Sequence, residues 1–220
     1  MSAPVRTVSS DMGNSTKQWM EIVWPHLGPK IGGGVYLPME GVKSPLPMAL
    51  DMQCGIDGIQ LPLYGEPIAW ATRVQKCSPS GGFATSGYDT FTIRSFRDSG
   101  AKTELEKRIE DTRDVDRTEG PRPLRSGLTG HAYIDDGGNF LSCGVICTVD
   151  LNRYLRFGQR FIRSNRTNNA GFVYVGWRLI EMTFYEVMGY TPRVFMVGRA
   201  NGQWDMPFGQ ECKTLWEAYR

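Results

Sequence analysis

Residues 50–76, LDMQCGIDGIQLPLYGEPIAWATRVQK, and residues 88–108, YDTFTIRSFRDSGAKTELEKR, decide the fold. They read as strand, turn, strand, loop, strand, turn, helix. Residues 48–63 are expected to hold the first strand, and Gly65-Glu66-Pro67 is a turn signal. Residues 68–74 alternate well enough for a second strand, and 88–96 are rich in aromatic and β-branched residues, as a third requires. Thr103 with Glu106 three positions on predicts a capping box, opening a helix over 103–113. Asp57 falls near one end of the first strand, and Arg73 and Gln75, two apart, share a face of the second. An acid, a cation and an amide converging from neighbouring strands suit a divalent metal and a phosphate. The competing reading makes Asp57 a turn residue that satisfies backbone amides, with Arg73 and Arg94 pairing structurally with Asp57 and Glu104.

Before this stretch, residues 1–15 are small and polar, as a mobile arm would be. Trp19, Met20, Val23, Trp24 and Leu27 then recur at helical spacing, closed by Pro25 and Gly28-Pro29. Glu21 lies on this first helix. Ile31-Gly32-Gly33-Gly34-Val35 lacks the Lys-Ser/Thr of a phosphate loop and reads as a flexible connection, followed by an irregular 35–47. After it, 131–134 and 140–149 flank Asp135-Asp136-Gly137-Gly138, a hairpin signal whose aspartates suit the turn better than a metal. Residues 172–179 and 193–198 read as further strands.

The chain has 220 residues, 40% of them apolar, with six Trp, enough for a real core. The net charge of +2 excludes a polybasic tail protein but not a local basic patch. No run approaches a membrane span and the N-terminus has no signal-peptide core, so a cytoplasmic protein without membrane contact is expected. Cys54, Cys77, Cys143, Cys147 and Cys212 include no CxxC pair and read as reduced thiols rather than a zinc site.

Asp150 is expected to cap a helix carrying Arg153, Arg156, Arg160 and Arg163, whose steps of three, four and three keep all four on one face. Residues 151–180 hold six arginines and no acid. Guanidiniums without carboxylates repel one another and are relieved when phosphates lie across them. Arg166 and the asparagines 165, 168 and 169 follow in a loop suited to further phosphate contacts. The alternative pairs these arginines with acids of the 94–125 segment, where nine basic and eight acidic residues mix.

The order helix, three strands, helix, strand over residues 16–149 resembles the core of the PD-(D/E)XK nuclease-like superfamily. The resemblance implies an α+β fold: a central mixed β-sheet flanked by helices, a restriction-endonuclease-like core, with residues 150–220 as a basic helix and C-terminal extension packed on the same domain. It implies Glu21 as the helix acid and Asp57 as the strand acid, together holding Mg²⁺ or Mn²⁺. Arg73 stands where the family has lysine, and Ala71 where it has glutamate. Gln75 is the stand-in, and Glu104 or Glu106 reaches in from the next helix. The implied activity is metal-dependent phosphodiester cleavage by an endonuclease of phage, mobile-element or defence type, with DNA favoured over RNA. Arg73 would stabilise charge on the phosphate but not act as a base, since it stays protonated. Ala71 favours the alternative, a binding subunit of the same fold without cleavage. A third reading is a partner-binding protein, a homodimer or part of a larger complex, with Trp19, Trp24, Trp204 and Trp216 at its interface.

Overall fold

The computed structural model describes residues 14–39, 42–77, 89–97, 102–115, 126–157, 161–165, 170–177, 179–180, 186, 189, 192 and 194–205. Helix α1 runs over residues 14–27, its middle turn Trp19–Val23 wound as a π-helix and Trp24–Leu27 as an α-helix. A short 3₁₀ turn, Gly28–Lys30, ends it. Pro25 does not stop the helix; it follows closely on the π-wound turn Trp19–Val23, where regular α winding is already interrupted.

A sheet of seven strands follows, in the order β1-β2-β3-β5-β6-β9-β10. Its strands are β1 (Val35–Pro38), β2 (Gly58–Leu61), β3 (Ile68–Lys76), β5 (Leu128–Ile134), β6 (Phe140–Cys147), β9 (Phe195–Arg199) and β10 (Trp204–Asp205). The β3–β5 pair is parallel and the others are antiparallel, so the fold is α+β around a central mixed sheet. Residues near the C-terminus thus extend this sheet through β9 and β10. A second sheet, β4-β8-β7, is antiparallel and built from β4 (Thr90–Arg97), β8 (Ala170–Gly176) and β7 (Phe161–Asn165).

Four expectations are corrected here. The first strand does not span 48–63: helix α2 (Pro45–Cys54) occupies its first half. Pro45 and Pro47 lie in the opening turn, where proline fits, and Gly55 ends the helix in the left-handed region at φ 61°. Asp57 accordingly lies in the link before β2, not within a strand. Second, the third strand, β4, leaves the central sheet for the smaller one. Third, the 35–47 segment is not irregular throughout, since it contains β1. Fourth, the arginine-bearing helix, α4, is Thr148–Phe157; Asp150 lies within its first turn, and Arg163 is on β7. The expected single face of four arginines is therefore divided between a helix and a strand. Arg160 and Arg166 lie outside the described residues.

Other expectations hold. Helix α3 (Glu104–Val115) opens with the capping box: Thr103 N–H donates to Glu106 Oε2 at 2.7 Å and Glu106 N–H to Thr103 Oγ1 at 3.3 Å. The β5–β6 hairpin turns through Asp135, whose carboxylate accepts the Asn139 N–H at 2.8 Å and the Asn139 side-chain amide at 2.7 Å. The glycine run, expected to be a flexible connection, instead forms a tight turn into β1 with positive φ at three successive positions. A Cβ on Gly34 would overlap the Leu61 carbonyl oxygen, so no other residue fits there.

Two cores lie on the two faces of the central sheet. On one, Trp19, Val23 and Leu27 of α1 pack on Trp70, Val74, Ala132, Cys143 and Val145. On the other, α3, α4 and the smaller sheet enclose Tyr133, Ile146, Leu151, Tyr154, Val173, Val175 and Trp177. Every residue of β5 and β6 is buried, so both faces of these strands are covered.

Candidate functional site

Parallel register sets Arg73 beside His131 and Gln75 beside Tyr133. With side chains alternating along each strand, these four residues share the face of the central sheet that looks toward β4. Strand β4 meets them with its open edge. The Thr92 N–H donates to His131 Nδ1 at 3.0 Å, and Arg73 Nη1 donates to the Thr92 carbonyl at 3.1 Å. The Tyr133 hydroxyl donates to the Thr90 carbonyl at 3.0 Å and lies 3.1 Å from Thr92 Oγ1. An edge strand whose backbone would otherwise stay unpaired is thus satisfied by side chains of the neighbouring sheet.

These contacts fix the state of the imidazole. With Nδ1 accepting from a backbone amide, the ring proton sits on Nε2, which donates to Gln75 Oε1 at 3.1 Å. Burial pushes the His131 pKa well below its ordinary value, and the positive charges of Arg73 and Arg108 push the same way. Burial also raises the Tyr133 hydroxyl to about 12. Both side chains are neutral around pH 7.

Glu104, at the start of α3, gathers the cations. Its Oε1 accepts from Arg108 Nε at 3.0 Å, its Oε2 lies 3.6 Å from Arg73 Nη1, and the carboxylate also accepts the Arg94 backbone N–H. Desolvation works to raise its pKa; Arg108, Arg73 and these hydrogen bonds outweigh it and hold the carboxyl below the usual range. Arg108 reaches on to Asn152 Oδ1 at 3.0 Å, tying α3 to α4. The Arg73 and Arg94 guanidiniums both lie over the Phe172 ring, at 5.7 and 5.8 Å. The Arg73 and Glu104 side chains remain 30% and 37% exposed, so the cluster opens to solvent.

Of the residues singled out in the sequence, Arg73 lies beside Glu104, and Gln75 shares its strand face and meets His131. Asp57 does not take the part of a free carboxylate: its Oδ2 accepts the Thr72 N–H, while its own N–H donates to the Trp70 carbonyl at 2.8 Å. It locks the entry of β2 against β3. Glu21 is an exposed residue 4.0 Å from Lys17, one helical turn away. Arg153 and Arg156 are half-buried on α4, with the Arg156 guanidinium 4.6 Å over the exposed Phe157 ring. Arg163 stands opposite Phe172 in the β7–β8 register, and Arg94 stands opposite Phe172 on the other side. His131, Tyr133, Thr92, Arg108 and Phe172 were missed. The spacing Thr129-x-His131-x-Tyr133 was the available signal, three polar side chains on one face of an otherwise apolar strand.

Asp57 and Glu104 are each held by hydrogen-bond donors, and no three His, Cys, Asp or Glu side chains among the described residues come together. Buried Cys143 has its thiol pKa raised by desolvation, which keeps it protonated rather than ready to bind metal. No helix among the described residues is long and apolar enough to cross a membrane. Neither family models, nor curated proteins, nor solved structures yield any match to this chain.

Proposed function

We propose that the chain is a nucleic-acid-binding protein that contacts the phosphate backbone through the arginine-rich region 151–180. The observation that carries this reading is that region's composition: six arginines and no carboxylate. Two of these arginines stand one helical turn apart on α4, and a third lies on β7. Guanidiniums suit phosphate oxygens, and counterion release drives the association. The Arg156–Phe157 pair adds the mixture of cation and ring that suits single-stranded nucleic acid. Binding without cleavage is favoured over the metal-dependent nuclease, because Asp57 accepts the Thr72 N–H and Glu21, the other carboxylate expected to hold Mg²⁺, lies exposed beside Lys17.

The test is binding and cleavage of plasmid, single-stranded DNA and RNA with Mg²⁺, Mn²⁺ or chelator. Binding that chelator leaves intact and that Arg153→Ala/Arg156→Ala weakens supports the proposal. Metal-dependent cutting lost in Asp57→Ala restores the nuclease reading, and a folded protein that neither binds nor cuts removes both.

A further inference from the structure

The Thr92 peptide orients two side chains of β3 at once. Its carbonyl takes Arg73 Nη1 at 3.1 Å, and its N–H, by fixing the His131 tautomer, turns Gln75 Oε1 toward the imidazole. Gln75 Nε2 therefore faces away from His131 with both its N–H groups to offer. Arg73 keeps Nε and Nη2. Glu104 does not engage them: its Oε2 stands 3.6 Å from Nη1, beyond hydrogen-bond reach, and its Oε1 accepts from Arg108. Among the described residues no acceptor takes Arg73 Nε, Arg73 Nη2 or Gln75 Nε2, and none of the three is a buried polar atom left without a partner. Both side chains are half-buried, at the seam between the two sheets.

The geometry points to a binding site for a phosphate monoester between Arg73 and Gln75. Residues two apart on one strand face stand about 6.6 Å apart along the backbone. Hydrogen bonds of about 2.9 Å from each side leave room for one tetrahedral group between them. The Nε–Nη2 edge of Arg73 gives two parallel donors and Gln75 gives a third. That set matches the three terminal oxygens of a monoester rather than the two free oxygens of a carboxylate or a diester. It offers donors alone, so it selects an anion. The surrounding field is positive: burial lowers the His131 pKa and Arg73 and Arg108 lower it further, while at Glu104 the same guanidiniums overcome burial. A half-buried seam also suits the end of a molecule better than the middle of a polymer. This site lies outside residues 151–180 and stands whether or not that region binds nucleic acid.

Calorimetric titration of the full chain with inorganic phosphate, and with acetate, tests this on wild type, Gln75→Glu and Arg73→Lys. Gln75→Glu keeps an oxygen for the His131 N–H and replaces the amide donors by a carboxylate; Arg73→Lys keeps the charge and removes the fork. The wild type is expected to bind phosphate with a Kd of about 1 mM or below, and acetate about tenfold more weakly. Each variant should weaken phosphate by about tenfold or more. The Gln75 side-chain amide resonance, identified by its loss in Gln75→Glu, should shift as phosphate is added to wild type, which reads the contact even if a variant does not fold. Tighter binding of a 5′-phosphorylated than of a 5′-hydroxyl oligonucleotide, removed by Gln75→Glu, makes the source a nucleic-acid end; phosphate binding without that difference makes it a free phosphomonoester. A wild type that binds no phosphate at about 10 mM, or holds acetate as tightly, overturns the proposal. So does a folded Gln75→Glu with unchanged affinity, or an amide resonance that phosphate leaves in place.

Discussion

His131 Nδ1 accepts the backbone N–H of Thr92 at 3.0 Å, although the two residues lie on strands of different sheets. This bond, with those from Arg73 and Tyr133, lets the smaller sheet join the larger through a polar seam rather than another strand pairing. It also makes the junction sensitive to protonation, since an imidazolium has no lone pair left at Nδ1.

Stability should therefore fall as pH drops below the ordinary histidine value. The His131 pKa is depressed in the folded state, so the unfolded chain takes up a proton near pH 6.5 that the folded chain refuses. The contribution is complete above about pH 6.5 and declines by about 1.4 kcal/mol per unit below it, until the folded pKa is reached. Glu104 acts lower: its depressed pKa gives stability that is lost only as pH falls below the ordinary glutamate range. Urea unfolding at pH 7.5 and pH 5.5, compared between wild type and His131→Gln, isolates the imidazole. The wild type should lose stability between the two, and the variant, weaker at pH 7.5, should lose distinctly less.

Asp57→Ala should destabilise the fold by about 1–3 kcal/mol, because it strips the Thr72 N–H of its acceptor in a partly buried position. The same substitution should leave nucleic-acid affinity unchanged once the protein is folded. Chemical denaturation and a binding titration on one preparation check both halves.

Glycine substitutions should separate crowding from backbone strain. A Cβ at Gly130 would meet Trp19 Cη2 in the first core, and one at Gly144 would meet the Trp177 indole in the second. Each alanine variant should lose about 1–3 kcal/mol or more, since neither ring has room to retreat. Gly55→Ala meets nothing within 4 Å and should lose only about 1 kcal/mol, from its positive φ. Equal losses at all three sites would contradict this packing.

Thr103→Ala should cost about 1 kcal/mol by opening the α3 capping box, while Thr103→Ser should stay within a few tenths. Thermal melts of the two variants beside wild type give the comparison.

Local chemistry was legible where one segment decides its own structure. The Thr103/Glu106 box, the Asp135 turn and the helical spacing of Trp19, Val23 and Leu27 all appear as read. Reading failed where distant contacts decide. Pro45 and Pro47 suggested irregular chain, yet both fit the first turn of α2. Thr90–Arg97 has a strand composition, but nothing within it says which sheet it joins; that is settled by His131 and Tyr133, some forty residues on. The arginine spacing over 153–163 is helical in pattern, yet Arg153 and Arg156 lie on a helix and Arg163 on strand β7. At the site, Arg73 and Gln75 were legible as polar side chains two apart on one strand face, whereas the Thr72 N–H that Asp57 accepts comes from β3, which the residues around Asp57 do not name.

The most direct test of nucleic-acid binding is the salt dependence of affinity, measured by fluorescence anisotropy with a labelled single-stranded oligonucleotide. The account predicts that log Kd rises steeply and linearly with log salt, and that Arg153→Ala/Arg156→Ala lowers the slope by about 1–2. A folded wild-type protein that does not bind at low salt, or binds with a slope the double variant leaves untouched, would contradict it.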